Sequence, residues 1–183
     1  MQPRARALLS NENAQNPTEQ PTETSLAERA VGKLSGPCRH AYQLACDEAK
    51  RSGAAYVGAA HLLIGLAESG ETAAARVFDS LALTAAEVRA RLVFVEGPAA
   101  KATPNGEALP LSPRAQRVLV AAEREGGKNG VREIGTLHLL HALIAEREGI
   151  AVFVLEEPGV GLERLGAALQ KALREQWEDT ARD

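Results

Sequence analysis

Shifting the chain by 77 residues lays one half of it on the other without a gap. The segment that begins LSGPCRHAY at Leu34 falls on the one that begins LSPRAQRVL at Leu111. Leu34 and Ser35 meet Leu111 and Ser112, Gly53 meets Gly130, and Gly58 meets Gly135. His61, Leu62 and Leu63 meet His138, Leu139 and Leu140, Leu66 meets Leu143, and Val77 meets Val154. A gapless coincidence of Gly, His and Leu over this length implies two copies of one supersecondary unit. A unit of about 60 residues has a marginal core by itself, so the two copies are expected to bury their apolar faces on each other as a pseudo-twofold pair.

Each copy reads as four helices. Ser35 and Ser112 are good N-caps for the first, and Pro113 suits N1, where its missing N–H costs nothing. Ala41, Leu44, Ala45 and Ala49 form an apolar stripe, echoed by Val118, Ala121 and Ala122. Gly53 and Gly130 suit the left-handed turn that stops a helix. A second helix follows Gly58 or Gly135. A short third is expected over 71–81 and over 149–157. The fourth opens at Thr84, with Glu87 three residues on as a capping box, and near Gly161, running through Leu162, Leu165 and Leu169.

Composition agrees with this all-α, pseudo-twofold bundle of two four-helix repeats. Only 3% of residues are aromatic, and the apolar content is mostly Ala, Leu and Val, which favours helix over sheet. Residues 1–26, rich in Asn, Gln, Glu, Pro and Thr, read as a disordered leader. Repeat one spans 34–92, a Pro- and Gly-containing linker 96–110, repeat two 111–170, and a polar tail that frays 176–183. The net charge is −3 with both signs interspersed, so nothing marks a nucleic-acid surface. No apolar run approaches the roughly 20 residues that span a bilayer, and no signal peptide is legible. A cytoplasmic location is expected. Cys38 and Cys46, eight residues apart on one helix, would stand about 12 Å apart along its axis, too far for a disulfide.

At these residues the chain resembles the Clp N-terminal domain, the double-repeat module at the front of the ClpA, ClpB and ClpC unfoldases. The family's capped first helix, its Gly-[Thr/Pro]-x-His-Leu-Leu segment and its short helix with A-x-x-V-L read here as SGPC and SPRA, GAAHLL and GTLHLL, and AARVF and AVFVL. The resemblance covers about 34–170. It implies recruitment of clients and adaptors to an AAA+ motor. No motor is expected in this chain: VGKL and GGKN contain Gly-Lys but lack the Ser or Thr and the Gly spacing of a phosphate loop. The expectation is a stand-alone Clp N-domain protein.

The resemblance also implies where a ligand would sit. The ClpC branch binds phosphoarginine once per repeat, through a Glu in its Gly-Thr-Glu-His segment and a Thr at the first helix start. Here the Thr positions are Ser35 and Ser112, which keep a hydroxyl. The Glu positions are Ala60 and Leu137, which cannot pair a cation. Phosphoarginine is therefore not an expected ligand, and helix capping is the plain reading of both serines. These four residues are the candidate ligand- or partner-binding positions.

No catalytic residue, metal site or cofactor is expected. His138 and His141 stand at i, i+3, but no third ligand lies at a credible spacing, and Ile64 replaces the second histidine in repeat one. No Gly-x-Ser-x-Gly elbow occurs, and Cys38 and His40 at i, i+2 face different ways. Arg114, Arg117, Arg124, Lys128 and Arg132 read as a solvated face. Phe78 and Phe153 read as core, and Trp177 as a residue packed back on the bundle or an anchor for a partner. The expected function is a non-enzymatic adaptor or accessory of a Clp-type system, with Clp ATPase or peptidase subunits or client proteins as partners. The alternatives are a structural subunit of a Clp protease ring, and a decoy that sequesters a small N-domain ligand.

Overall fold

The computed structural model of the chain describes residues 21–96, 108–128, 130–146 and 161–180. It is all-α. The helices are α1 (Glu23–Gly32), α2 (Gly36–Arg51), α3 (Ala59–Glu68), α4 (Ala73–Ser80), α5 (Ala85–Glu96), α6 (Pro113–Lys128), α7 (Thr136–Ala145) and α8 (Leu162–Thr180).

Two helices make the centre. Every residue of α3 from Ala59 to Leu66 is buried, and α7 buries Thr136–Leu140, Ala142 and Leu143. A helix apolar on all sides must be covered on all sides. Here α2 and α5 pack on α3, α6 and α8 pack on α7, and α3 meets α7 between them. One continuous core results, with Leu62, Leu66 and Phe78 from the first repeat joining Leu119, Leu139 and Leu165 from the second. This is the shared core that the repeat predicts.

The repeats are also joined through the backbone, twice, by the same device. Ile134 N–H donates to the Lys33 carbonyl at 2.8 Å, and Ser35 N–H donates to the Ile134 carbonyl at 3.0 Å. Val57 N–H donates to the Pro110 carbonyl at 2.8 Å, and Ser112 N–H donates to the Val57 carbonyl at 3.0 Å. Lys33, Ser35 and Val57 are 77 residues before Pro110, Ser112 and Ile134. Each bridge is therefore the other with the repeats exchanged, which is how an isologous twofold contact is built.

Local signals explain most boundaries. Ser35 Oγ accepts from Cys38 N–H, and Ser112 Oγ from Ala115 N–H. Pro113 stands at the first position of α6, and Pro37 within the first turn of α2, where neither removes a helical hydrogen bond. Gly53 and Gly130 adopt φ of 66° and 70°. Thr84 N–H donates to Glu87 Oε2 at 2.8 Å, while Glu87 N–H donates to Thr84 Oγ1 at 3.2 Å, closing the capping box ahead of α5.

Two boundaries differ from the sequence reading. Helix α1 begins at Glu23, inside the segment assigned to the leader. Thr22 caps it by accepting from Ser25 N–H, and Ala27 and Ala30 are fully buried. Helix α8 continues to Thr180, through residues 176–180 of the expected tail. Residues 171–175 supply Lys171 and Glu175 as an i, i+4 pair at 3.7 Å, and polar residues of good helix propensity carry the helix on. The third helix of the first repeat is α4, shorter than 71–81. Its counterpart expected over 149–157, Phe153, most of the linker and the side chain of Trp177 lie outside the described residues.

Candidate functional site

The histidines of the repeated segment come first, because they are the residues most easily mistaken for chemistry. His61 and His138 occupy the third position of α3 and α7 and are almost fully buried. Gly58 N–H donates to His61 Nδ1 at 2.9 Å, and Gly135 N–H to His138 Nδ1 at 3.1 Å. Each imidazole thus takes the part that a Glu or Gln plays in a capping box. Burial lowers both pKa values, opposed in part by Glu48 at His61 and by Glu125 at His138.

His61 also approaches a serine: its Nε2 is 3.3 Å from Ser52 Oγ. Glu48 lies near enough to be felt by His61, so the three resemble a nucleophile, a base and an orienting acid. The protons exclude that role. Because Nδ1 accepts from a backbone N–H, the neutral ring carries its proton on Nε2 and donates it to Ser52. Ser52 Oγ–H in turn donates to the Ala49 carbonyl at 3.1 Å. A base must have a free lone pair facing the hydroxyl, and this one faces the backbone.

Glu48 is committed elsewhere. Arg51 and Arg89 both bind it, and Arg89 also pairs with Glu68 on α3. Burial alone would raise the Glu48 carboxyl, but the hydrogen bonds from Arg51 and Arg89 outweigh it and hold it below the usual carboxylate value. Three of the basic residues of the second repeat are likewise paired, Arg114 and Arg117 with Glu146, and Lys128 with Glu125. Among the described residues no cluster of three or more His, Cys, Asp or Glu side chains could hold a metal ion. Cys38 and Cys46 are free thiols, and burial pushes Cys38 up to about 12.

The four positions singled out in the sequence divide into two kinds. Ala60 and Leu137 are core residues, 2% and 1% exposed, closed off from anything arriving through solvent. Ser35 and Ser112 are partly buried helix caps. Ser35 lines a cleft of about 750 Å³ between α4 and α8. Pro37, Val77, Ala168 and Ala172 give it an apolar lining, and Glu71, Arg76, Lys171 and Glu175 give it charges of both signs. Thr136 joins the two repeats at its edge, where Thr136 Oγ1 accepts from Ala74 N–H at 3.3 Å. Sequence reasoning missed this cleft, because its two walls come from helices about 90 residues apart in the chain.

A bundle with caps in place of catalytic groups, an open cleft and a twofold repeat narrows the family. The Clp repeat (R) N-terminal domain matches residues 33–136 and again 127–183. The chain belongs to the Clp repeat N-terminal domain family. Relatives of this Clp N-domain include a chaperone protein ClpB of Oceanobacillus iheyensis and the negative regulator of genetic competence ClpC/MecB of Bacillus subtilis. Each is 32% identical over 133 residues, which is 73% of this chain and 16% of the relative. The chain thus corresponds to about a sixth of the length of these relatives. The N-terminal domain of ClpD from Arabidopsis thaliana has the same fold, with a TM-score of 0.66 at 21% identity, over 79% of this chain and 96% of that one. A ClpV N-domain solved in complex with a VipB peptide gives 0.56 at 17%, over 79% and 91%. Like its family, this Clp N-domain is a non-catalytic interaction module. Among its described residues no helix is long and apolar enough to cross a membrane.

Proposed function

We propose that the protein works in the cytoplasm as a protein-binding accessory of Clp-type machinery, taking client segments or a partner domain in the cleft between α4 and α8. The observation that carries this reading is the cleft itself. Its volume suits a peptide side-chain cluster, and its apolar lining and mixed charges suit protein more than a small anion. The serine hydroxyls and the buried Ala60 and Leu137 offer no carboxylate for a guanidinium, so phosphoarginine is not the ligand of choice. The direct test is co-sedimentation of the full chain with the Clp ATPase of the same cell, with and without an unfolded client. Ala172→Arg fills the cleft from the partly buried face of α8. It is expected to remove the interaction without moving Tm. Failure to associate with either component, or association untouched by Ala172→Arg, overturns the reading.

A further inference from the structure

Helix α1 lies ahead of residue 33, where the family match begins, yet it packs on α6 of the second repeat. Thr24 reaches Gln116, and Arg29 and Lys33 both reach Glu123, at 3.2 and 2.6 Å. Because Thr24 meets Gln116 and the later residues meet Glu123, α1 runs parallel to α6. Its inner face is modest: Ala27 and Ala30 are buried, and Leu26 and Val31 are partly so. A ten-residue helix has little stability of its own, and two alanine methyls, two half-buried aliphatic side chains and solvent-facing ion pairs are a small hold for it. On the same face of α6, Leu119 is fully buried, whereas its repeat counterpart Tyr42 on α2 is only partly so.

The seat is longer than the helix that occupies it. Beyond Lys33 and Glu123 the face continues into a cleft of about 380 Å³ lined by Gly126, Gly127, Val131 and Ile134 together with the charged Arg132 and Glu133. Val131 is one of the two large apolar residues exposed among those described. Helix α1 does not extend over this cleft, because Lys33 and Ser35 turn into the bridge with Ile134.

We propose that α1 is a displaceable strap, and that its seat on α6 takes a longer amphipathic helix of a partner protein. That helix presents two small side chains three residues apart, a basic residue to Glu123, and an apolar residue one turn further on for the cleft at Val131. A second copy of this chain is the poorer occupant: its α1 ends at the same turn, and the resident α1 is tethered beside its own seat by the Lys33–Ile134 bond. The inference does not rest on the cleft between α4 and α8, which lies on other helices, so the two stand or fall separately.

The test uses the full chain and a labelled helical peptide made of residues 22–32, a lysine, and one further turn ending in leucine. Ala27→Asp with Ala30→Asp releases the strap. This double variant is expected to bind the peptide saturably and at least tenfold more tightly than the unaltered chain. Adding Val131→Arg or Glu123→Lys is expected to weaken binding tenfold or more. Hydrogen exchange on the unaltered chain supplies a second reading: the amides of α1 are expected to exchange at least tenfold faster than those of α3 and α6. Protection of α1 equal to that of α3, global unfolding of the double variant, its dimerisation, or no peptide binding each overturns the proposal.

Discussion

Glu48 on α2 and Arg89 on α5 are 41 residues apart in the chain and meet through both carboxylate oxygens, at 3.0 and 3.1 Å. Glu48 is 4% exposed, and its second partner, Arg51, is largely in solvent. Three helices are tied here, because Arg89 also reaches Glu68 of α3. The counterpart pair in the second repeat, Glu125 and Lys128 at 3.0 Å, has no such third helix among the described contacts and sits nearer the surface. Removing Glu48 leaves Arg89 with Glu68 as its remaining partner. Glu48→Ala is expected to cost about 2 kcal/mol, for its charge-assisted hydrogen bonds, and Glu125→Ala about 0.5 kcal/mol, both read by urea denaturation at pH 7.

The two buried histidines set an acid limit. Their folded-state pKa values lie below the unfolded value of about 6.5. The unfolded chain therefore binds more protons below that pH, and stability falls as pH falls. The contribution is complete above about pH 6.5 and is lost as pH drops through the depressed folded values. Protonating Nδ1 also removes the acceptor of the Gly58 or Gly135 N–H. His61→Gln with His138→Gln keeps an acceptor at the third helical position. The double variant is expected to flatten the dependence of Tm between pH 5 and 7, and an unchanged slope would assign the effect to other groups.

Gly65 marks the closest approach of two helices. A Cβ built there would collide with the Ala41 carbonyl oxygen and crowd the Ala45 backbone nitrogen of α2. Both are main-chain atoms, so relief requires moving a helix. Gly65→Ala is expected to destabilise by about 2 kcal/mol despite its better helix propensity. Gly166 in α8 has open space where its Cβ would go. Gly166→Ala is expected to gain up to about 1 kcal/mol. Thermal melts of the two variants separate packing from propensity.

Ser35 and Ser112 test capping against ligand contact. Ser112 Oγ accepts from Ala115 N–H at 3.1 Å, and Ser35 Oγ from Cys38 N–H at 3.4 Å. Ser112→Ala is expected to cost about 1 kcal/mol and Ser35→Ala less. Partner affinity, measured by biolayer interferometry on the full chain, is expected to track neither change.

Much of this was legible in the sequence because the repeat acts twice. The Thr84–Glu87 box, the left-handed Gly53 and Gly130 and the serine caps are local signals that appear in place; of the stripe at Ala41, Leu44, Ala45 and Ala49, the three alanines are buried and Leu44 is only partly so. The central position of α3 and α7 was less legible, since an apolar run shows that it is buried and not what buries it. Helix α1 carried a local signal too: Thr22 as cap, Leu26, Ala27, Ala30 and Val31 at helical spacing. It was overlooked because its neighbours are polar and its support, Gln116 and Glu123, lies about 90 residues away. The cleft between α4 and α8 was hidden for the same reason. Ala60 and Leu137 were reached by analogy with a polar position, and their own side chains already favoured the interior.

The paired bridges bear on how such a fold could arise and how it must assemble. Neither repeat completes its own backbone hydrogen bonding: the carbonyl of Lys33 awaits the amide of Ile134, and the amide of Val57 awaits the carbonyl of Pro110. A half-molecule would expose both ends of this exchange, together with one side of α3 or α7. Two identical halves would satisfy each other with the same geometry. The single chain is thus a dimer whose subunits have been joined end to end, and a lone repeat set free in solution is a surface that seeks its own copy.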